Sequence, residues 1–157
     1  MVFWKKDKTA NTENGMPEGV NQAVKEIAAA FRGHEIRHQV HAENGFCAMT
    51  CDFKGSYGNP FTIVFISMEN RNNVSVRCYH ALPDLSPERL SLIHEIIGEN
   101  NRRFCFVKFY LDGEALCMEY DILSKTANIG VVAIEILLYM VKIVDGSWPK
   151  LMKAIWQ

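Results

Sequence analysis

The sequence has almost no excess charge: seventeen basic residues against eighteen acidic ones leave a formal net charge of -1. A field that weak draws in neither nucleic acid nor an anionic bilayer, so neither partner is expected. The five cysteines, Cys47, Cys51, Cys78, Cys105 and Cys117, include no CxxC pair, which removes the usual redox couple and the usual zinc half-site. Met1-Val2-Phe3-Trp4 turns polar at Lys5-Lys6, an apolar stretch too short for a secretory leader, and a cytoplasmic location is expected from it. Also missing are a glycine-rich phosphate loop, a Walker sequence and a GxSxG elbow, so the common nucleotide and hydrolase motifs have no representative.

What is present is enough to fold. A length of 157 residues suits one domain, and 48% apolar with 11% aromatic content is that of a globular chain. Residues 1–15 carry no apolar period and are expected as a flexible tail, leaving a single domain over 16–157. From Pro17 the residues Val20, Val24, Ile27, Ala28 and Phe31 recur at helical spacing up to Gly33. From Ile36 the period becomes two, and Glu43-Asn44-Gly45 offers a hairpin turn into a strand running from Phe46 to about Phe53. Two further strands follow, Phe61 to Ile66 and an alternating Val74 to Leu82 that is expected to bury Val74, Val76, Cys78, His80 and Leu82.

Ser86-Pro87 places a capping serine before a proline at the first helical position, predicting a second helix to about Asn100. Phe104 to Asp112 and Ala115 to Ile122 flank Asp112-Gly113 as a second hairpin, before a helix over 128–145 and a short one over 148–156. Strands linked by short turns pair antiparallel, and helices gather on one side of such a sheet. The expected fold is therefore a two-layer α+β arrangement in the order α-β-β-β-β-α-β-β-α-α, with the helices packed on one face.

Glu99-Asn100-Asn101 at a helix end, the hairpin FVKFYLDGEALCMEYDI, a long apolar helix and a tryptophan-containing C-terminus together give a recognisable pattern. Over 17–157 the chain resembles the YbjN-like family of bacterial sensory transduction regulators, whose fold is similar to that of type III secretion chaperones. The strand region before the second helix is longer than in a minimal three-stranded version. The resemblance brings no active site to transfer; it implies a dimeric, chaperone-like or regulatory platform that binds another polypeptide.

The candidate chemistry is thin. His34, His38 and His41 lie close in sequence, but their spacing matches no zinc pattern and strand alternation sends His38 and His41 to opposite faces. Cys47 and Cys51 share a strand face yet sit too far apart along it for a disulfide. No cysteine has a histidine partner selected for it. No catalytic residue, metal or cofactor is expected. Glu119 and Asp121 share a face with Cys117, opposite Leu116, Met118, Tyr120 and Ile122, giving a polar sheet face that is either solvated or binds something.

The helix from Ile129 to Val144 is the most informative segment, because only Gly130, Ala133, Glu135 and Lys142 interrupt a run of large apolar residues. A helix on one side of a sheet needs one apolar stripe, so the surplus must be covered by other helices, by a second chain or by a ligand. Coverage by the first and last helices with Trp148 and Trp156 is one reading. The other is a homodimer or cargo interface centred on Leu137, Leu138, Tyr139 and Met140, with Trp148 and Trp156 at its border. The chain is thus expected to be a non-enzymatic protein-binding module; the alternative is a small-molecule sensor or enzyme with a pocket between sheet and helices.

Overall fold

The computed structural model describes residues 16–156, and the segment 1–15 expected as a tail lies outside them. Helix α1 (Gln22–Gly33) starts at Gln22 rather than Pro17, because Asn21 is the residue that caps it. The Asn21 side chain accepts the Val24 amide at 3.0 Å and donates to Ser67 Oγ at 2.6 Å, tying the helix start to the sheet. After α1 the Ile36 amide still bonds to the Phe31 carbonyl at 2.8 Å, so strand β1 (Gln39–Glu43) begins later than the alternation from Ile36 implied. Asn44 and Gly45 both have positive φ, 48° and 75°, as a two-residue hairpin turn into β2 (Phe46–Lys54) requires.

β3 (Pro60–Met68) and β4 (Asn73–Ala81) continue the meander. Ser86 caps α2 (Pro87–Arg103) as expected, but the helix runs past Asn100. The next strand, β5 (Lys108–Asp112), accordingly begins four positions beyond the expected Phe104, and residues 104–107 form a loop. β6 (Ala115–Leu123) turns back from it and pairs with both β5 and β4. The six-stranded sheet is antiparallel throughout, in the order β1-β2-β3-β4-β6-β5.

Directly paired residues of antiparallel strands share a face. One row is Met49, Phe65, Val76 and Tyr120, and the next is Cys51, Ile63, Cys78, Met118 and Phe109. These rows pack with Ile27 and Phe31 of α1 and with the following helix in one core. Ile93 and Ile96 of α2 join Leu116 of the same sheet face in an adjoining cluster, and Ile97 packs against both. All the helices therefore lie on one face, and the two-layer α+β expectation holds.

The order of elements needs one correction. The two helices expected over 128–145 and 148–156 are a single helix, α3 (Ile129–Trp156), with Pro149 in its interior. Pro149 has no amide to offer the Asp145 carbonyl, at a cost of about 3 kcal/mol in a helix interior. Beyond it Leu151, Ala154 and Ile155 are buried against Ile93, Ile96 and Leu116. Two large aliphatic side chains gain roughly 1.5–3 kcal/mol each by burial, which offsets the proline and keeps the helix going.

Gly130 fixes how closely α3 approaches α1: a Cβ there would lie 2.6 Å from Ala30 Cβ and 2.9 Å from the Glu26 carbonyl oxygen. Gly130→Ala is predicted to destabilise the fold by about 1–3 kcal/mol in urea unfolding, because the helices must separate. Gly146, on the same helix with open space around its Cβ position, provides the control. Gly146→Ala should be stabilising by about 0.5–1 kcal/mol. Equal losses at both positions would contradict a close α1–α3 crossing.

Candidate functional site

The long helix α3 sorts its apolar residues sharply. Leu137 and Met140, two of the four residues expected at the centre of an interface, are 1% and 0% exposed and belong to the core. They are corrected from interface to packing: helical spacing turns them onto the row occupied by Ala133 and Val144. Leu138, at 61% exposure, and Tyr139 face outward. The Tyr139 ring meets Phe104 edge-on at 6.4 Å, and Arg103 lies over the other ring of that pair, 5.2 Å from the Phe104 centroid. Trp148 is half-buried with its ring edge-on to His80 at 4.8 Å, and burial holds the His80 imidazole below its ordinary value. Trp156 is exposed beside the Ile155 carbonyl that accepts from Arg89. Leu138 is left exposed, against the reading in which the first and last helices cover that side of the helix.

The opposite sheet face carries no helix, and the alternation read from the sequence places Cys117, Glu119 and Asp121 on it. Glu119 lies directly across from Arg77 on β4 and from Lys108 on β5. It pairs with Arg77 at 2.9 Å and accepts from the Tyr110 hydroxyl at 2.6 Å. Arg77 also donates to Ser75 at 3.1 Å and Tyr79 at 3.0 Å. Burial, with bonds to Cys117 and Glu119, holds the Tyr110 hydroxyl well above the usual phenol range, so it remains a donor. Tyr79 and Tyr110 flank Cys117 from the neighbouring strands and leave it fully buried. Arg77, Tyr79 and Tyr110 were not singled out from the sequence, since their meeting needs β6 to sit between β4 and β5. Their period-two position on polar strand faces was the only available signal.

Where β5 fails to begin at Phe104, a cleft opens. It has a volume of about 320 Å³ and is lined by Cys105, Phe106, Lys108, Glu119, Tyr120 and Asp121. Phe106 is 66% exposed, and its ring lies 6.1 Å from Tyr120. The cleft is at the sheet edge, whereas the space between sheet and helices is filled by buried side chains.

The histidines do not converge. His38 Nδ1 lies 2.8 Å from the Ile36 carbonyl with its ring edge-on to Phe31, while His41 approaches Glu43 at 3.6 Å. Among the described residues no group of three or more His, Cys, Asp or Glu is placed to hold a metal ion. Among the same residues no helix is long and apolar enough to cross a membrane. With the geometry in place, comparison with known proteins adds no identification: no family model matches the chain, and no curated protein does.

The cysteines separate by environment. Burial, reinforced by Asp52, pushes the Cys51 thiol up to about 12; burial does the same to Cys78, and raises Cys117 to about 11. Cys47 is also buried, and Cys105 alone is exposed. A thiol titrating near 12 is ionised to about one part in 10⁴ at a pH of about 8. A disulfide-exchange reagent is therefore predicted to titrate one thiol per native chain, Cys105, and all five after denaturation. Rapid reaction of a second native thiol would show that the sheet core opens readily.

Proposed function

We propose that this protein is a non-enzymatic protein-binding module, a homodimeric chaperone-like or regulatory adaptor of YbjN-like type with a fold akin to type III secretion chaperones. The observation that carries this reading is the outward surface of α3. Leu138 projects into solvent from a helix whose opposite side is core, beside the Tyr139–Phe104 contact. Large apolar and aromatic side chains grouped with an arginine are the composition of interface anchors. Arg103 is placed on that group by its stacking over Phe104. The buried, protonated thiols are poor nucleophiles, which favours a binding role over covalent chemistry. Partner and self recognition would share the cytoplasm as their setting.

The test is the mass of the purified chain in solution. Wild type is expected to scatter light as a dimer, and Leu138→Glu as a monomer whose dissociation constant has risen at least about tenfold. Because Leu138 is exposed, its melting temperature should move by less than about 2 °C. Leu137→Glu should unfold the chain outright, since it buries a lone carboxylate in the core. A wild type that stays monomeric at every concentration overturns the homodimer.

A further inference from the structure

The outward stripe of α3 carries a charge pattern of its own. Gly130 turns one flank of the helix to α1, and on the other flank Lys150 reaches Glu99 of α2. Between these flanks Val131, Glu135, Leu138 and Lys142 are exposed. Val131 and Leu138 are seven residues apart, as are Glu135 and Lys142, and seven residues return a helix to the same face within about 20°. Val131 is 55% exposed and Leu138 61%. Glu135 and Lys142 lie about 10 Å apart along the axis, beyond the one-turn spacing at which charges on a helix pair. Neither has an ion-pair or hydrogen-bond partner among the described residues. Asp145, the other charge on this stretch, accepts the Ser56 amide at 2.8 Å. Arg103 is stacked over Phe104, to the Tyr139 side of the stripe rather than on it.

This order is complementary to itself in one direction. Glu135 and Lys142 stand at equal distances on either side of the point between Leu138 and Tyr139. A second copy laid antiparallel, with a two-fold axis through that point, therefore sets Glu135 opposite the partner's Lys142 and Lys142 opposite the partner's Glu135. A two-fold interface repeats each contact in this reciprocal way. In the same register Leu138 meets the partner's Tyr139, and Val131 meets the partner's Gly146, where no side chain stands and the Cβ position is open. Parallel packing would set Glu135 against Glu135 and Lys142 against Lys142. A register matching Glu135 to Lys153 instead would place Leu138 against Lys150, which Glu99 already engages.

We propose that a second copy of this chain occupies the outward face of α3, packed antiparallel about an axis between Leu138 and Tyr139, with two reciprocal Glu135–Lys142 ion pairs bordering the apolar contact. Charges beside a helix seam set the partner and its orientation more than the affinity. The affinity comes from burying Val131, Leu138 and Tyr139. This inference rests on the homodimer reading and adds to it the occupant, orientation and register of the Leu138 surface. Self-association takes that surface, so a further polypeptide binds elsewhere on the molecule.

The test is the self-association of the full-length chain, followed by sedimentation over a concentration series for charge variants. Glu135→Lys and Lys142→Glu each set like charges together twice, and each should raise the dimer dissociation constant at least about tenfold. The double variant Glu135→Lys/Lys142→Glu exchanges the signs and should return to within about threefold of wild type. An equimolar mixture of the two single variants should form a heterodimer of similar affinity, since one chain then offers two cations and the other two anions. Lys153→Glu, the same change of charge on the same helix outside the register, should leave association unchanged. Each substituted position is exposed, and rescue by the double variant separates lost association from misfolding. Single variants that keep the wild-type constant, a double variant no better than either single one, or an equal loss with Lys153→Glu overturns the antiparallel seam. If Leu138→Glu still yields monomers in that case, the homodimer reading stands without this orientation; a wild type that is monomeric at every concentration removes the homodimer itself.

Discussion

The arrangement of this protein depends on the passage of one helix across one face of the sheet. α3 is 28 residues long, about 42 Å at the helical rise, and it touches both other helices. Near its start Gly130 lets α1 approach to backbone contact, and near its end Leu151 and Ile155 complete the cluster made by α2 and Leu116. The Ser56 amide donates to the Asp145 carboxylate at 2.8 Å, fastening the β2–β3 loop to the same helix. With every helix committed to one side, the other side of the sheet carries polar residues, and where these are partly buried they satisfy one another. The Arg77–Glu119–Tyr110 network is that satisfaction, placed where β4, β6 and β5 run side by side.

Local chemistry was legible where a few adjacent residues decide the backbone. Asn44-Gly45 and Ser86-Pro87 specify a turn and a helix start whatever surrounds them, and both occur as read. Alternation likewise placed Val74, Val76 and Cys78 in the core and Glu119 and Asp121 on the other face, whereas His80 and Leu82, expected in the same buried set, lie toward the strand's end and are only half-buried. Pro149 misled because a proline's local penalty is visible in sequence, while the burial of Leu151 and Ile155 that outweighs it comes from α2, dozens of residues away. The outward surface of α3 was half legible. The surplus of apolar residues was evident, but which ones turn outward depends on the helix's rotation against the sheet. Leu137 and Leu138 are neighbours in sequence and opposites in environment.

The cleft was hidden by a uniform run of strand-forming residues. Phe104-Cys105-Phe106-Val107 reads as strand by propensity, yet three local interactions draw it away from β6. Arg102 and Arg103 sit in the last turn of α2, where cations complement the helix dipole and favour its extension. Phe104 N bonds to Asn100 O, closing that turn, and the Phe104 ring stacks on Phe109 and meets Tyr139. A ring anchored on the helical face cannot also continue the edge of β5. The loop therefore crosses toward α3, and Asp121 and Leu123 are left facing the space it vacates.

That geometry also explains why the edge is uneven. Asn101 can reach the Phe109 backbone because α2 extends three residues beyond Asn100 and passes beside β5. A helix ending at Asn100 would remove this side-chain strand mimic, and β5 could then lengthen and cover Asp121 and Leu123. The same extension thus caps Phe109 and leaves Asp121 and Leu123 without a neighbouring strand. An exposed pair of strand donors is a hazard when the rim is flat and apolar, since any edge can pair with it. Here the rim carries both signs of charge, Lys108 beside Asp121, while Glu119 is paired with Arg77, so the edge is not a flat apolar one.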